Sequence, residues 1–206
     1  MKEEPQDIMK VITLGESGVG KTCLIRRYIN NIYEEANVST IGISFSFKQV
    51  KLKNRKSINI KLIDTAGQEK FRALAKSYFK NVDAVLFIFG LNDQDSFDKA
   101  INWINLFDDI HNGKEGIPRY LIGSKSDKER KVSNDVIEEF LCKTKYKYYE
   151  TSAKDNNGID ELFQDLSEDL YQILLETGGK KRTQNIQKLS NFDNKNNNSK
   201  CLCTAK

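Results

Sequence analysis

The stretch Gly15-Glu16-Ser17-Gly18-Val19-Gly20-Lys21-Thr22 constrains this chain more than any other. It follows the apolar run IMKVITL (residues 8–14) and leads into TCLIRRYIN (22–30), whose apolar residues have helical spacing. The pattern G-x-x-x-x-G-K-[ST] between a strand and a helix is a phosphate loop. Its glycines let backbone N–H groups turn inward around an oxyanion. The helix start adds the positive end of its dipole. Ser17, Gly18, Val19, Gly20, Lys21, Thr22 and Cys23 are therefore the candidate phosphate-binding residues. Lys21 reaches the outer phosphates, and the Thr22 hydroxyl is a candidate ligand for Mg2+, which prefers oxygen. This motif implies a nucleoside triphosphate without naming its base.

The rest of the chain alternates strands with helices. ISFSFKQV (43–50) and SINIKLID (57–64) alternate with period two and are joined by the polar KLKNRK, so they read as a hairpin. AVLFIFG (84–90) is an unbroken apolar run, as expected of a strand buried on both faces. RYLIGS (119–124) and KYKYYE (145–150) are two shorter strands. Helical spacing recurs at Phe97, Ala100, Ile101, Ile104 and Phe107, at Val136, Ile137, Phe140 and Leu141, and from Ile159 to Leu174. The order predicts an α/β fold of three layers: a six-stranded, mostly parallel sheet with one antiparallel strand and helices on both faces. Ligands of such sheets bind beyond the carboxyl ends of the strands. No internal repeat is present.

LIDTAGQEKF (62–71) ends one of these strands. Asp64 is placed to hold Mg2+ through water, Gly67 to bring a backbone N–H to the γ-phosphate, and Gln68 to orient the attacking water.

GESGVGKT, STIGISF, DTAGQEKF, SKSD and ETSAK, in that order, resemble the Ras superfamily of small GTPases, and the Rab family most closely. The resemblance covers about residues 8–175. It implies a GTP/GDP switch in vesicle trafficking that hydrolyses GTP with Mg2+. Thr40 would meet Mg2+ through its hydroxyl and the γ-phosphate through its N–H, and Tyr33 would flank the guanine. The expected partners are effectors binding near 37–45 and 64–79, an exchange factor, a GTPase-activating protein and escort or dissociation-inhibitor proteins. Nucleic acid is not among them.

Guanine-specific relatives read N-K-x-D, and this chain has Ser124, Lys125, Ser126 and Asp127. The Asp127 carboxylate can accept from guanine N1–H and the 2-amino group, a donor pair that adenine lacks. A site built around such a pair rejects the wrong base strongly. Lys125 would lay its stem along the base. Ala153 would offer its N–H to the guanine carbonyl oxygen, beside Lys154, and Ser152 would steady Asp127. Ser124 is shorter than the family's asparagine, which braces the phosphate loop and meets the base. It is expected to reach only through water, with guanine specificity kept and affinity reduced. The alternative is a Rab-like binding scaffold in which Ser124 has weakened nucleotide affinity too far for switching.

Other positions also depart from the family. Ile63 stands where a tryptophan usually joins Phe45 and Tyr78 in an aromatic triad, and Asn37 where many relatives carry a tyrosine. Trp103 reads as a residue packed beside a helix, His111 as part of a polar loop, and Cys23 and Cys142 as small core residues.

Residues 178–206 carry seven Lys and Arg against the single acid Asp193, so the net +4 of the chain resides in its tail and residues 1–177 are slightly acidic. Residues 1–7 and 178–206 are expected to be disordered around a GTPase domain at 8–177. Cys201 and Cys203 resemble the paired C-terminal cysteines that Rab proteins geranylgeranylate, with three extra residues after them. Two lipid chains would make membrane anchoring stable where one is marginal. Without an apolar leader or a spanning segment, the expected location is the cytoplasm and the cytosolic face of intracellular membranes.

Overall fold

The computed structural model describes residues 8–34, 40, 42–67, 72–111 and 116–177, the side chains of 72–74 excepted. The elements in chain order are β1 (Ile8–Leu14), α1 (Lys21–Asn30), β2 (Ile43–Lys51), β3 (Ser57–Thr65), α2 (Arg72–Phe79), β4 (Ala84–Gly90), α3 (Gln94–His111), β5 (Arg119–Ser124), α4 (Asn134–Cys142), β6 (Lys147–Thr151) and α5 (Ile159–Glu176). The six strands form one sheet in the order β2-β3-β1-β4-β5-β6. Only the β2–β3 pairing is antiparallel. The expected architecture is therefore present, hairpin included.

Strand periodicity divides the core. In β4, Leu86 and Ile88 face one side of the sheet, while Val85, Phe87 and Phe89 face the other. All five are fully buried, as the unbroken apolar run requires. The first side packs against α1 and α5 through Leu24, Ile25, Leu162, Phe163, Leu166 and Leu170. The second packs against α2, α3 and α4 through Phe79, Phe97, Trp103, Phe107 and Ile137. Each helix turns a 3.6-residue stripe to the sheet.

Arg72–Phe79 forms a further helix, its apolar pattern too short to stand out in the sequence. Two expectations, on His111 and on the cysteines Cys23 and Cys142, need correction. His111 closes α3 rather than lying in a polar loop. It is buried, its ring centroid 4.3 Å from that of Phe107, and its Nε2 lies 2.9 Å from the Phe79 carbonyl. A carbonyl only accepts, so Nε2 carries the proton. Cys142 is exposed at the end of α4, which buries only Ile137 fully, and Cys23 on α1 is half-buried. Among the described residues no helix is long and apolar enough to cross a membrane.

Register brings the motifs to one edge. Thr13 pairs with Asp64, Gly90 with Ser124, and Ser124 with Thr151, all at the carboxyl ends of parallel strands. Two hydroxyls fasten β1 to β3 beneath that edge: Thr65 Oγ1 donates to the Thr13 carbonyl at 2.7 Å, and Thr13 Oγ1 to the Ile63 carbonyl at 3.2 Å.

Candidate functional site

The loop between β1 and α1 leaves Ser17 and Gly18 exposed while Val19 is buried in the core. Gly20, which caps α1, sits at φ 102°, a left-handed conformation that glycine adopts without steric cost. Lys21 folds back over the loop and donates to the Gly15 carbonyl at 2.9 Å and the Glu16 carbonyl at 2.8 Å. It is only 5% exposed. Burial pushes its pKa down to about 8, against the pull of Asp64 and Glu16. An ammonium has three N–H donors. Two of them hold it against the loop, and phosphate charge nearby would favour its protonated form.

Three oxygens from distant segments converge beside Lys21. Thr22 Oγ1 lies 2.7 Å from Thr40 Oγ1 and donates to Asp64 Oδ2 at 2.7 Å. A hydroxyl has one proton, and Thr22 gives its proton to the carboxylate, so Thr40 donates to Thr22. Asp64 is 3% exposed. Burial raises its pKa, while the Thr22 hydroxyl and the charges of Lys21 and Arg26 oppose the rise. Its Oδ1 is buried with no hydrogen-bond partner among the described residues. A buried orphan carboxylate oxygen beside two hydroxyls is a donor set that suits a hard cation. Among the described residues no group of three His, Cys, Asp or Glu could hold a metal alone, so a cation here would share its coordination sphere with water or phosphate. Gly67 presses on the phosphate loop: a Cβ there would collide with the backbone of Glu16 and Ser17.

A second cluster forms where β5 and β6 end. Lys125 takes a left-handed conformation at φ 60°. Its pKa is lowered, by burial first and then by Lys128. Ser152 Oγ, itself buried, donates to Asp127 Oδ1 at 2.7 Å and accepts from the Asp155 N–H at 3.0 Å. The Ser126 N–H donates to the Thr151 carbonyl at 3.1 Å, joining the two loops. Ala153 is half-buried against the α1–α5 core, and Lys154 is exposed. Cys23 Sγ lies 3.8 Å from the Glu34 carbonyl, and the guanidinium of Arg27 lies 6.0 Å from the centre of the Tyr33 ring.

A model of the Ras family matches residues 10–172. The chain is 35% identical over 200 residues to "Ras-related protein Rab-13" of Rattus norvegicus, which spans 94% of this chain and 95% of the relative. It is 34% identical over 174 residues to "GTP-binding protein ypt1" of Schizosaccharomyces pombe, covering 84% of each. The chain belongs to the Rab family of small GTPases. It is a guanine-nucleotide-binding GTP hydrolase of vesicle trafficking that works with effectors and regulators. The scaffold alternative is not favoured.

As a Rab GTPase, the chain treats its unusual Ser124 differently from the sequence expectation. The hydroxyl needs no water to reach the phosphate loop. It is 5% exposed and lies 2.5 Å from the Val19 carbonyl and 2.7 Å from that of Phe89. One proton serves both acceptors, so the brace is direct but single. Phe45 and Tyr78 keep the aromatic contact of the triad, with ring centroids 5.8 Å apart. Ile63 lies buried opposite Phe45 in the hairpin register. Gln68, Asn37, Cys201 and Cys203 lie outside the described residues.

Sequence reasoning missed three supports of this site. Trp103 of α3 donates its indole N–H to Glu16 Oε1 at 3.2 Å, tying α3 to the phosphate loop. Glu150 accepts from Tyr148 at 2.7 Å and pairs with Arg130, bracing the loop after β5 against β6. Arg27 reaches the loop after β6. The last spans 126 positions, and no local pattern signals a contact at that separation.

Proposed function

We propose that the phosphates lie in the loop of residues 15–22 and that guanine is read by Asp127 and the Ala153 N–H. The carrying observation is that the Thr22–Thr40–Asp64 oxygens and the Ser152–Asp127 pair stand on the same sheet edge, joined by the phosphate loop between them. Asp127, held through one oxygen by Ser152, accepts from guanine N1–H and the 2-amino group. The Lys125 stem and the Tyr33 ring flank the base.

Mg2+, held by the Thr22 and Thr40 hydroxyls and by Asp64 through water, would neutralise charge on the outer phosphates. For hydrolysis, Gln68 orients the water that attacks the γ-phosphorus. Lys21 and the loop N–H groups stabilise charge as it moves toward the leaving diphosphate. Loss of the γ-phosphate removes what Thr40 and Gly67 hold, and both segments relax. A GTPase-activating partner supplies an arginine charge at the outer phosphates.

The functional domain is residues 8–177. Effectors contact the segments near 37–45 and 64–79, and escort-type proteins present Cys201 and Cys203 for prenylation. Two lipids and the basic tail then hold the protein on the cytosolic face of an intracellular membrane.

The test is to denature freshly purified protein and chromatograph what it releases. Stoichiometric GDP or GTP supports the reading. An empty pocket that GDP also fails to fill on titration with Mg2+ would sink it.

A further inference from the structure

Arg27 lies on α1, the helix that starts at the phosphate loop, yet its side chain serves another part of the molecule. Nε donates to the Ala153 carbonyl at 2.7 Å and Nη2 to the Lys154 carbonyl at 3.2 Å. Nη1 donates to the backbone carbonyl of Asn31 at 3.0 Å and to Asn31 Oδ1 at 3.2 Å. All three guanidinium nitrogens are thus engaged, within one rigid plane. Asn31 ends α1 in a left-handed conformation at φ 55°, its N–H returning to the Arg27 carbonyl. Two residues later comes Tyr33, whose ring the guanidinium faces at 6.0 Å.

We infer that Arg27 is a positioning residue for guanine recognition: it anchors the carbonyls of Ala153 and Lys154 to the phosphate-loop helix, and so fixes the backbone whose Ala153 N–H meets the base. The inference rests on the proposed base reading. A surface ion pair would carry little weight, because both partners are mobile. Here the acceptors are main-chain carbonyls on one short loop, and the donor is a planar fork. Charge-assisted bonds of that kind give orientation as well as attraction. The same fork holds the turn that leads to Tyr33. Arg27 therefore links the two sides of the base site to the helix that carries the phosphates, without touching the nucleotide.

The test compares release of GDP and of 6-thio-GDP from full-length wild type, Arg27→Ala and Arg27→Lys. Sulfur is a weaker acceptor than oxygen, so wild type should release the thio nucleotide faster. Arg27→Ala should release GDP about tenfold faster than wild type, the effect of losing roughly one charge-assisted bond. It should also bring the two release rates together, because the contact at that atom is already lost. Arg27→Lys should fall between, since one ammonium cannot serve both carbonyls in the geometry of a fork. It supplies the same comparison if the alanine variant does not fold. Equal acceleration of both nucleotides, with their ratio unchanged, would mean a merely structural arginine and would overturn the inference. So would GDP release within twofold of wild type. Asp127→Asn separates the underlying reading. Xanthine presents an acceptor where guanine carries its 2-amino group, so this variant should prefer XDP. If it does not, the base reading fails whatever Arg27 does.

Discussion

The Ser124 hydroxyl stands 2.5 Å from the carbonyl of Val19, a residue 105 positions earlier, and so closes the end of β5 onto the phosphate loop. An asparagine offers two donors and an acceptor on a longer arm, whereas serine offers one donor. Ser124→Asn should therefore slow GDP release, by about fivefold if one further bond of roughly 1 kcal/mol is gained. Ser124→Ala should speed release by a similar factor, because it leaves the buried Val19 carbonyl unpaired. Release of a fluorescent GDP checks both. A faster Ser124→Asn variant would contradict this account.

Gln68→Leu should leave GTP affinity within about twofold while lowering the single-turnover hydrolysis rate by about tenfold or more, since a leucine cannot orient water. Rapid-quench measurement on GTP-loaded protein decides it. An unchanged rate would remove Gln68 from the chemistry.

Chelation of divalent metal should accelerate nucleotide release from wild type by about tenfold or more, and adding Mg2+ back should reverse the effect. Asp64→Asn should blunt this response, because the carboxylate whose Oδ1 stands without a partner is the charged member of the oxygen set. A full chelator response in that variant would place the metal elsewhere.

Glu150 supplies a pH-dependent brace. Partial burial pushes its pKa up, but hydrogen bonds from Arg130 and Tyr148 and the Arg130 charge outweigh it, and the net shift is downward. A carboxylate with a depressed folded pKa stabilises the fold above its unfolded value, near 4.5. That stability is lost as pH falls through the folded value. Wild type should melt higher than Glu150→Gln at pH 7, and the gap should narrow below about pH 4.5. Melting curves across that range test it, and a gap that widens in acid would reverse the sign of the argument.

The sequence by itself determined the fold class, the phosphate loop, the hairpin and the order of the motifs. Each of these rests on local regularities: period two in 43–50, an unbroken apolar run at 84–90, and glycine spacing at 15–20. Such patterns reflect constraints that act within a few residues, so one chain is enough to expose them. Only the tertiary structure decided how the site is braced. The Ser124 bond to Val19, the indole of Trp103 on Glu16 and the fork of Arg27 on Ala153 and Lys154 each join residues that parallel-strand register and helix packing bring together. His111 and Cys142 traded their expected surroundings for the same reason. Burial is set by which helix face meets the sheet, and that is a property of the whole packed molecule rather than of the residues beside them.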